Sequence, residues 1–178
     1  LKLDVVYDFG SVLATETEQV FDAIGEMFSL ELNRSLVADP FAAHQVEPGK
    51  IDPYLVAERY LRRDRSRSML LVLTSYDLKP KGMNYTFGAT YGDLVSIVST
   101  CRIGNDPTLT GVTSLHELFH QLGMVASNAP QHDNRCGMKG HCKNGDCMMR
   151  AVNNLNELRT VSDNWQRGIR LCRQCRGA

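Results

Sequence analysis

The sequence predicts a mixed α/β fold: a twisted mixed sheet with helices, one helix carrying two spaced histidines, and a small cysteine-rich C-terminal subdomain. Three observations lead there. Short segments of alternating apolar residues recur between stretches with a helical period. The dipeptide Asp-Pro opens two of those stretches, at Asp52-Pro53 and Asp106-Pro107; Asp can cap a helix and Pro suits its first position. Five of the six cysteines, Cys136, Cys142, Cys147, Cys172 and Cys175, gather near the end of the chain. The 178 residues, 43% of them hydrophobic, suffice for one domain (1–178) that buries a core without staples. It divides into an upper part, 1–123, and a lower part, 124–178.

The elements follow in order. Leu3, Val5, Tyr7 and Phe9 alternate as a first strand over residues 3–9. Thr15 and Glu18 form a capping box that opens a helix with Val20, Phe21, Ile24, Met27 and Phe28 on its core face. Ser29 to Val37 is a second strand, and Pro40 to Lys50 a loop. The next helix runs from Asp52-Pro53 through Leu55, Val56 and Tyr60 toward Arg63. Its end continues into the run Arg62 to Arg67, where basic residues complement the helix dipole. Met69 to Thr74 is the most continuous apolar strand and is expected at the centre. After a turn at Lys79 to Gly82, Met83 to Tyr91 and Leu94 to Thr100 form a hairpin with the first member at the sheet edge. Cys101 falls in this apolar strand and reads as a buried small hydrophobe. The last helix is expected from Asn154 to Arg170, burying Leu155, Leu158, Val161, Trp165 and Ile169.

The formal net charge is zero, which argues against binding nucleic acid or a membrane surface through bulk electrostatics. The apolar run Met69 to Leu73 is too short to span a bilayer. Residues 1–8 alternate like a strand and lack the apolar stretch of a secretion signal. Clustered cysteines ending in Cys172-Arg173-Gln174-Cys175 read as metal ligands in a reducing compartment. A cytoplasmic monomer is therefore expected.

The chemistry centres on the stretch Thr113-Ser114-Leu115-His116-Glu117-Leu118-Phe119-His120-Gln121-Leu122-Gly123. On a helix, His116 and His120 stack about 6 Å apart along the axis, so both imidazoles can reach one metal. Glu117 stands beside them, placed to take a proton from metal-activated water. Val112, Leu115, Phe119 and Leu122 form the core stripe. Gly123 suits a left-handed stop, after which the chain can swing round to supply a third ligand.

Downstream stand His141-Cys142, then Cys147-Met148-Met149, then the terminal Cys-x-x-Cys. Together with the helix motif, this order resembles the archaemetzincins, a metzincin branch of the zinc metallopeptidases. The text Gly82 to Gly88 followed by Val95 to Ser99 is similar to that family as well. The resemblance implies an α+β zincin-like fold and zinc-dependent hydrolysis of a peptide or protein substrate. It implies a catalytic zinc on His116, His120 and His141, with Glu117 as general base and Met149 in a Met-turn beneath the metal. Cys142, Cys147, Cys172 and Cys175 would hold a second, structural zinc, making two per chain; two disulfides are the alternative for those cysteines. The edge segment Asn84, Tyr85, Thr86, Phe87 and Gly88 would bind substrate by strand addition. The chain departs from the family at one point. The family's third His falls where Ala126 stands, so Met124 to Gly140 reads as an insertion that delays the ligand to His141. His132, within that polar insertion, lacks the neighbouring Cys142 that would clamp His141. The competing functional reading is a catalytically degenerate, zinc-stabilised binding module.

Overall fold

The computed structural model describes residues 2–8, 15–37, 41–63, 68–104, 106–124, 140–168 and 171–176. Its main sheet has five strands: β1 (Lys2–Asp8), β2 (Glu31–Val37), β5 (Met69–Thr74), β7 (Gly88–Tyr91) and β8 (Val95–Ser99), in the order β2-β1-β5-β8-β7. The first four strands in that order run parallel, and β7 returns antiparallel to β8 at the edge. The sheet is mixed and β5 is central, as the continuous apolar run Met69 to Leu73 predicts. Strands buried on both faces need no alternation, and Leu71, Val72 and Leu73 are each fully buried.

Helices cover both faces. Leu3, Val5, Leu71, Leu73 and Val98 pack with α1 (Thr15–Phe28), α3 (Pro107–Gln121) and α4 (Leu155–Gln166) in the larger core. Val72, Val95 and Ile97 face the other way, with Val56 and Ala57 of α2 (Pro53–Arg63). Phe28 of α1 meets Phe119 of α3 edge-on, with ring centroids 5.5 Å apart. A four-residue helix, α5 (Arg173–Arg176), closes the described chain. Among the described residues, no helix is long and apolar enough to cross a membrane.

Four expectations need correction. Within the expected loop Pro40 to Lys50, the chain forms a short 3-10 turn (Ala42–His44) and β3 (Gln45–Glu47), then β4 (Lys50–Ile51). With β6 (Asp77–Leu78), these strands make a second, three-stranded sheet. Two- and three-residue strands are too short to show a period. The expected edge strand Met83 to Tyr91 is regular only from Gly88, because Thr86 bridges back to Leu78 and bends the chain before it. Cys101 is exposed and lies in the turn 101–104, not in a strand. The last helix stops at Gln166 rather than Arg170: Gly168 takes a φ of 80° and donates to the Trp165 carbonyl, so the chain turns. Leu158 and Val161 are buried as expected, with Leu155 and Trp165 packed against them. Phe9, residues 64–67, Ala126, His132, Cys136, Ile169 and Arg170 lie outside the described residues.

Candidate metal centre

Helix α3 is fixed at both ends by local chemistry. The Asp106 carboxylate accepts from the Leu109 N–H at 3.0 Å, and Pro107 occupies the first turn. At the other end Gly123 has a φ of 66°, with Gly123 N–H bonded to the His120 carbonyl and Met124 N–H to the Phe119 carbonyl. This is a Schellman stop, which lets the chain leave the helix just after the second His. Buried residues surround most of α3, so its register against the sheet is held tightly.

His141 comes to the two helix histidines from the lower part of the chain. His116 Nε2 lies 3.2 Å from His141 Nε2 and 3.1 Å from His120 Nε2. Zinc–nitrogen bonds of about 2.0–2.1 Å at tetrahedral angles place nitrogens about 3.3 Å apart, so the three imidazoles already stand close to a zinc triad. His116 Nδ1 is 2.8 Å from the main-chain oxygen of Met148. As a donor to that carbonyl, Nδ1 carries the proton and leaves the Nε2 lone pair for a metal. Burial lowers the His116 pKa to about 4, helped by His141 and opposed by the Met148 bond. Burial, then His116 and His141, hold His120 well below the usual range. Neutral imidazoles are the form a metal needs.

Glu117 directs its carboxylate to β7. Its Oε2 accepts from the Thr90 hydroxyl at 2.6 Å, and its main-chain oxygen lies 3.3 Å from Ser96 Oγ. Burial pushes the carboxyl up to about 7, against the Thr90 bond, which lowers it. The triad, Glu117 and β7 border one open cleft of about 440 Å³, whose far wall includes Val152, Leu158 and Val161.

The second cluster is formed by Cys142, Cys147, Cys172 and Cys175, whose sulfurs all lie within 4.8 Å of one another. Cys142 Sγ and Cys172 Sγ are 3.8 Å apart, whereas a disulfide would need about 2.05 Å. None of the four is paired in a disulfide. Zinc–sulfur bonds of about 2.3 Å at tetrahedral angles give the same separation of about 3.8 Å. Main-chain N–H groups of Asn144 and Cys172 reach Cys142 Sγ and Cys147 Sγ, each at 3.4 Å. Burial pushes the Cys142 thiol up to about 11 and Cys175 up further. The donor set fits a four-thiolate metal.

The loop 141–150 joins both clusters. Cys142 N–H donates to the Met149 carbonyl at 2.7 Å, closing the loop around fully buried Met148 and Met149. Of the edge segment, Tyr85 donates from its hydroxyl to the Asn153 carbonyl at 2.8 Å, while the Arg102 guanidinium lies 3.9 Å above its ring. Phe87 is buried, Asn84 is exposed, and only Gly88 belongs to the strand. The seven ligand candidates and Glu117 are all legible in the sequence. Thr90, Ser96 and the Met148 carbonyl are not; a hydroxyl on an alternating strand and a main-chain oxygen leave no motif.

Comparison of the sequence with protein-family models and with curated proteins gives no match. Solved structures do match along the whole chain. An archaemetzincin from Methanopyrus kandleri superposes with a TM-score of 0.71 at 21% identity, over 98% of this chain and 91% of that one. An archaemetzincin from Archaeoglobus fulgidus, complexed with malonate, gives 0.71 at 18% identity over 99% of both chains. A zinc-dependent peptidase from Methanocorpusculum labreanum gives 0.68 at 18% identity over 98% of both chains. The chain therefore shares the fold of these proteins.

Proposed function

We propose that the chain is a zinc-dependent peptidase of the archaemetzincin type, with two zincs per chain and a peptide or protein substrate. The observation that carries the reading is the convergence of three Nε2 atoms at 3.1 and 3.2 Å beside a buried carboxylate in an open cleft. His116, His120 and His141 would hold the catalytic zinc. With a position left open, such a zinc lowers the pKa of its water to about 7 and polarises a carbonyl. Glu117 takes the proton from the attacking water as the water oxygen bonds to the peptide carbon. It then gives that proton to the amide nitrogen as the C–N bond breaks. The four cysteines leave no position for water, so their zinc is structural. Met149 forms part of the apolar support below the histidines.

The test compares metal-free, zinc-restored and untreated protein on a mixture of quenched-fluorescent peptides, with zinc counted in each. Two zincs per chain and cleavage that disappears and returns with the metal are expected. A protein holding both zincs that leaves every peptide intact would hand the site to the binding-module reading.

Substrate binding by strand addition is assigned here to β7. Its register with β8 pairs Gly88 with Val98 and Thr90 with Ser96. Ser99 N–H bonds the Phe87 carbonyl, so hydrogen-bonded pairs fall at alternate residues and the main-chain groups of Gly88 and Thr90 point to the open edge. A complex with a peptide hydroxamate is expected to show main-chain bonds to these two residues. An inhibitor seated without them would dispose of the idea.

A further inference from the structure

Gly88 and Thr90 are two residues apart on β7, so their side-chain directions share one face of the strand, and that face meets Glu117. A Cβ placed on Gly88 would lie 2.6 Å from Glu117 Oε1, 2.8 Å from its Cγ and 2.9 Å from its Cδ. Side-chain atoms do not approach a real Cβ this closely, so the carboxylate occupies space that only glycine leaves free. Gly88 itself is held by the Thr86 hydroxyl, which donates to its carbonyl at 2.6 Å.

Thr90 provides the matching polar contact. Its single hydroxyl hydrogen has three acceptors in reach: Glu117 Oε2 at 2.6 Å, Ser96 Oγ at 2.8 Å and the Glu117 carbonyl at 3.1 Å. The shortest and only charge-assisted bond is to Oε2. With Thr90 donating there, the fully buried Ser96 hydroxyl can donate to Thr90 Oγ1 at 2.8 Å in preference to the Glu117 carbonyl at 3.3 Å. The result is a directed chain, Ser96 to Thr90 to Glu117, with every hydrogen used once.

We propose that Gly88 and Thr90 are positioning residues for the general base: Gly88 provides the recess that receives the Glu117 carboxylate, and the Thr90 hydroxyl, oriented by Ser96, anchors Oε2 so that Oε1 remains for the reacting water. This rests on the peptidase reading for its catalytic consequence, though the positioning itself does not. A carboxylate held against the strand loses little freedom when substrate arrives, which is how a fixed near-attack geometry contributes to rate. With the recess filled, the Glu117 carboxylate would have to leave its place against Thr90.

The experiment compares zinc-loaded Gly88→Ala, Thr90→Val and Thr90→Ser proteins, with Glu117→Ala as reference. On one cleaved peptide, Gly88→Ala and Thr90→Val should lower kcat about ten- to a hundredfold and change KM by less than about threefold. Thr90→Ser, which keeps the hydroxyl, should restore kcat to within about threefold. A second readout needs no turnover. Acetohydroxamate can donate its O–H to the base carboxylate, so its Kd, measured by calorimetry, should rise about tenfold or more in Gly88→Ala and Thr90→Val but not in Thr90→Ser. A third uses the zinc-loaded proteins: the melting-temperature effects of Gly88→Ala and Glu117→Ala should be non-additive by about 2–4 °C, since the clash exists only when both side chains are present. Unchanged hydroxamate affinity in Gly88→Ala and Thr90→Val, equal losses in Thr90→Ser and Thr90→Val, or additive melting shifts would each overturn the proposal. Weakened hydroxamate binding by a chain that cleaves no peptide would keep the positioning and reject the peptidase reading alone.

Discussion

Glu117→Ala is expected to lower peptide hydrolysis about a hundredfold to ten-thousandfold, the range for a missing general base, while both zincs stay bound. The separation of effects follows from where the carboxylate sits. The converging ligand atoms are the three imidazole nitrogens, and Glu117 is bonded instead to Thr90. Removing it should leave the metal's donor set intact. His120→Ala is the natural contrast, because it deletes one of three nitrogens and should lower zinc content together with activity. Metal analysis of the two purified variants decides the matter. If Glu117→Ala loses zinc as readily as His120→Ala, the carboxylate is a ligand and its assignment as base is wrong.

Cys172→Ser and Cys175→Ser should destabilise the whole fold rather than merely slow turnover. Binding free energy at a structural zinc is folding free energy, with apparent values on the order of 10 kcal/mol or more. Cys142, Cys147 and Cys175 are almost wholly buried in the same core as α3 and α4, so loss of the metal would leave crowded sulfurs without a counter-charge. Cys101→Ser supplies the control, since that thiol is exposed in the turn 101–104. Thermal unfolding with and without chelator should show a large fall for the cluster variants and almost none for Cys101→Ser. A melting temperature equal to the parent's in either cluster variant would count decisively against a four-thiolate site.

Much of this site is legible without the fold, because its key signals are local. Asp106-Pro107 and Gly123 bracket α3 within a single stretch of chain, and the spacing of His116 and His120 has meaning only if that stretch is helical. The adjacency of His141 and Cys142 likewise ties one ligand to a second cluster through sequence alone. What stays hidden depends on pairings between distant segments. Thr90 meets Glu117 across 27 positions, and His116 meets the Met148 carbonyl across 32. Neither contact requires a distinctive residue type. Cys101 misleads because it follows the apolar run of β8, which ends at Ser99. The edge strand begins late because of the Thr86 bridge to Leu78, a tertiary contact that alternation in Asn84 to Tyr91 does not reveal.

Read as the peptide-binding edge proposed above, strand β7 carries a tension. A row of main-chain donors and acceptors that welcomes one extended segment also invites another sheet, and so self-association into aggregates. Here the edge is only four residues long, too short to template a broad pairing. One of its two outward carbonyls, that of Gly88, is already satisfied by the Thr86 hydroxyl. What remains is a narrow register beside the three histidines, which on the proposed reading would take a single short segment. The same economy that restricts which backbone can add to the edge also protects the chain from polymerising through it.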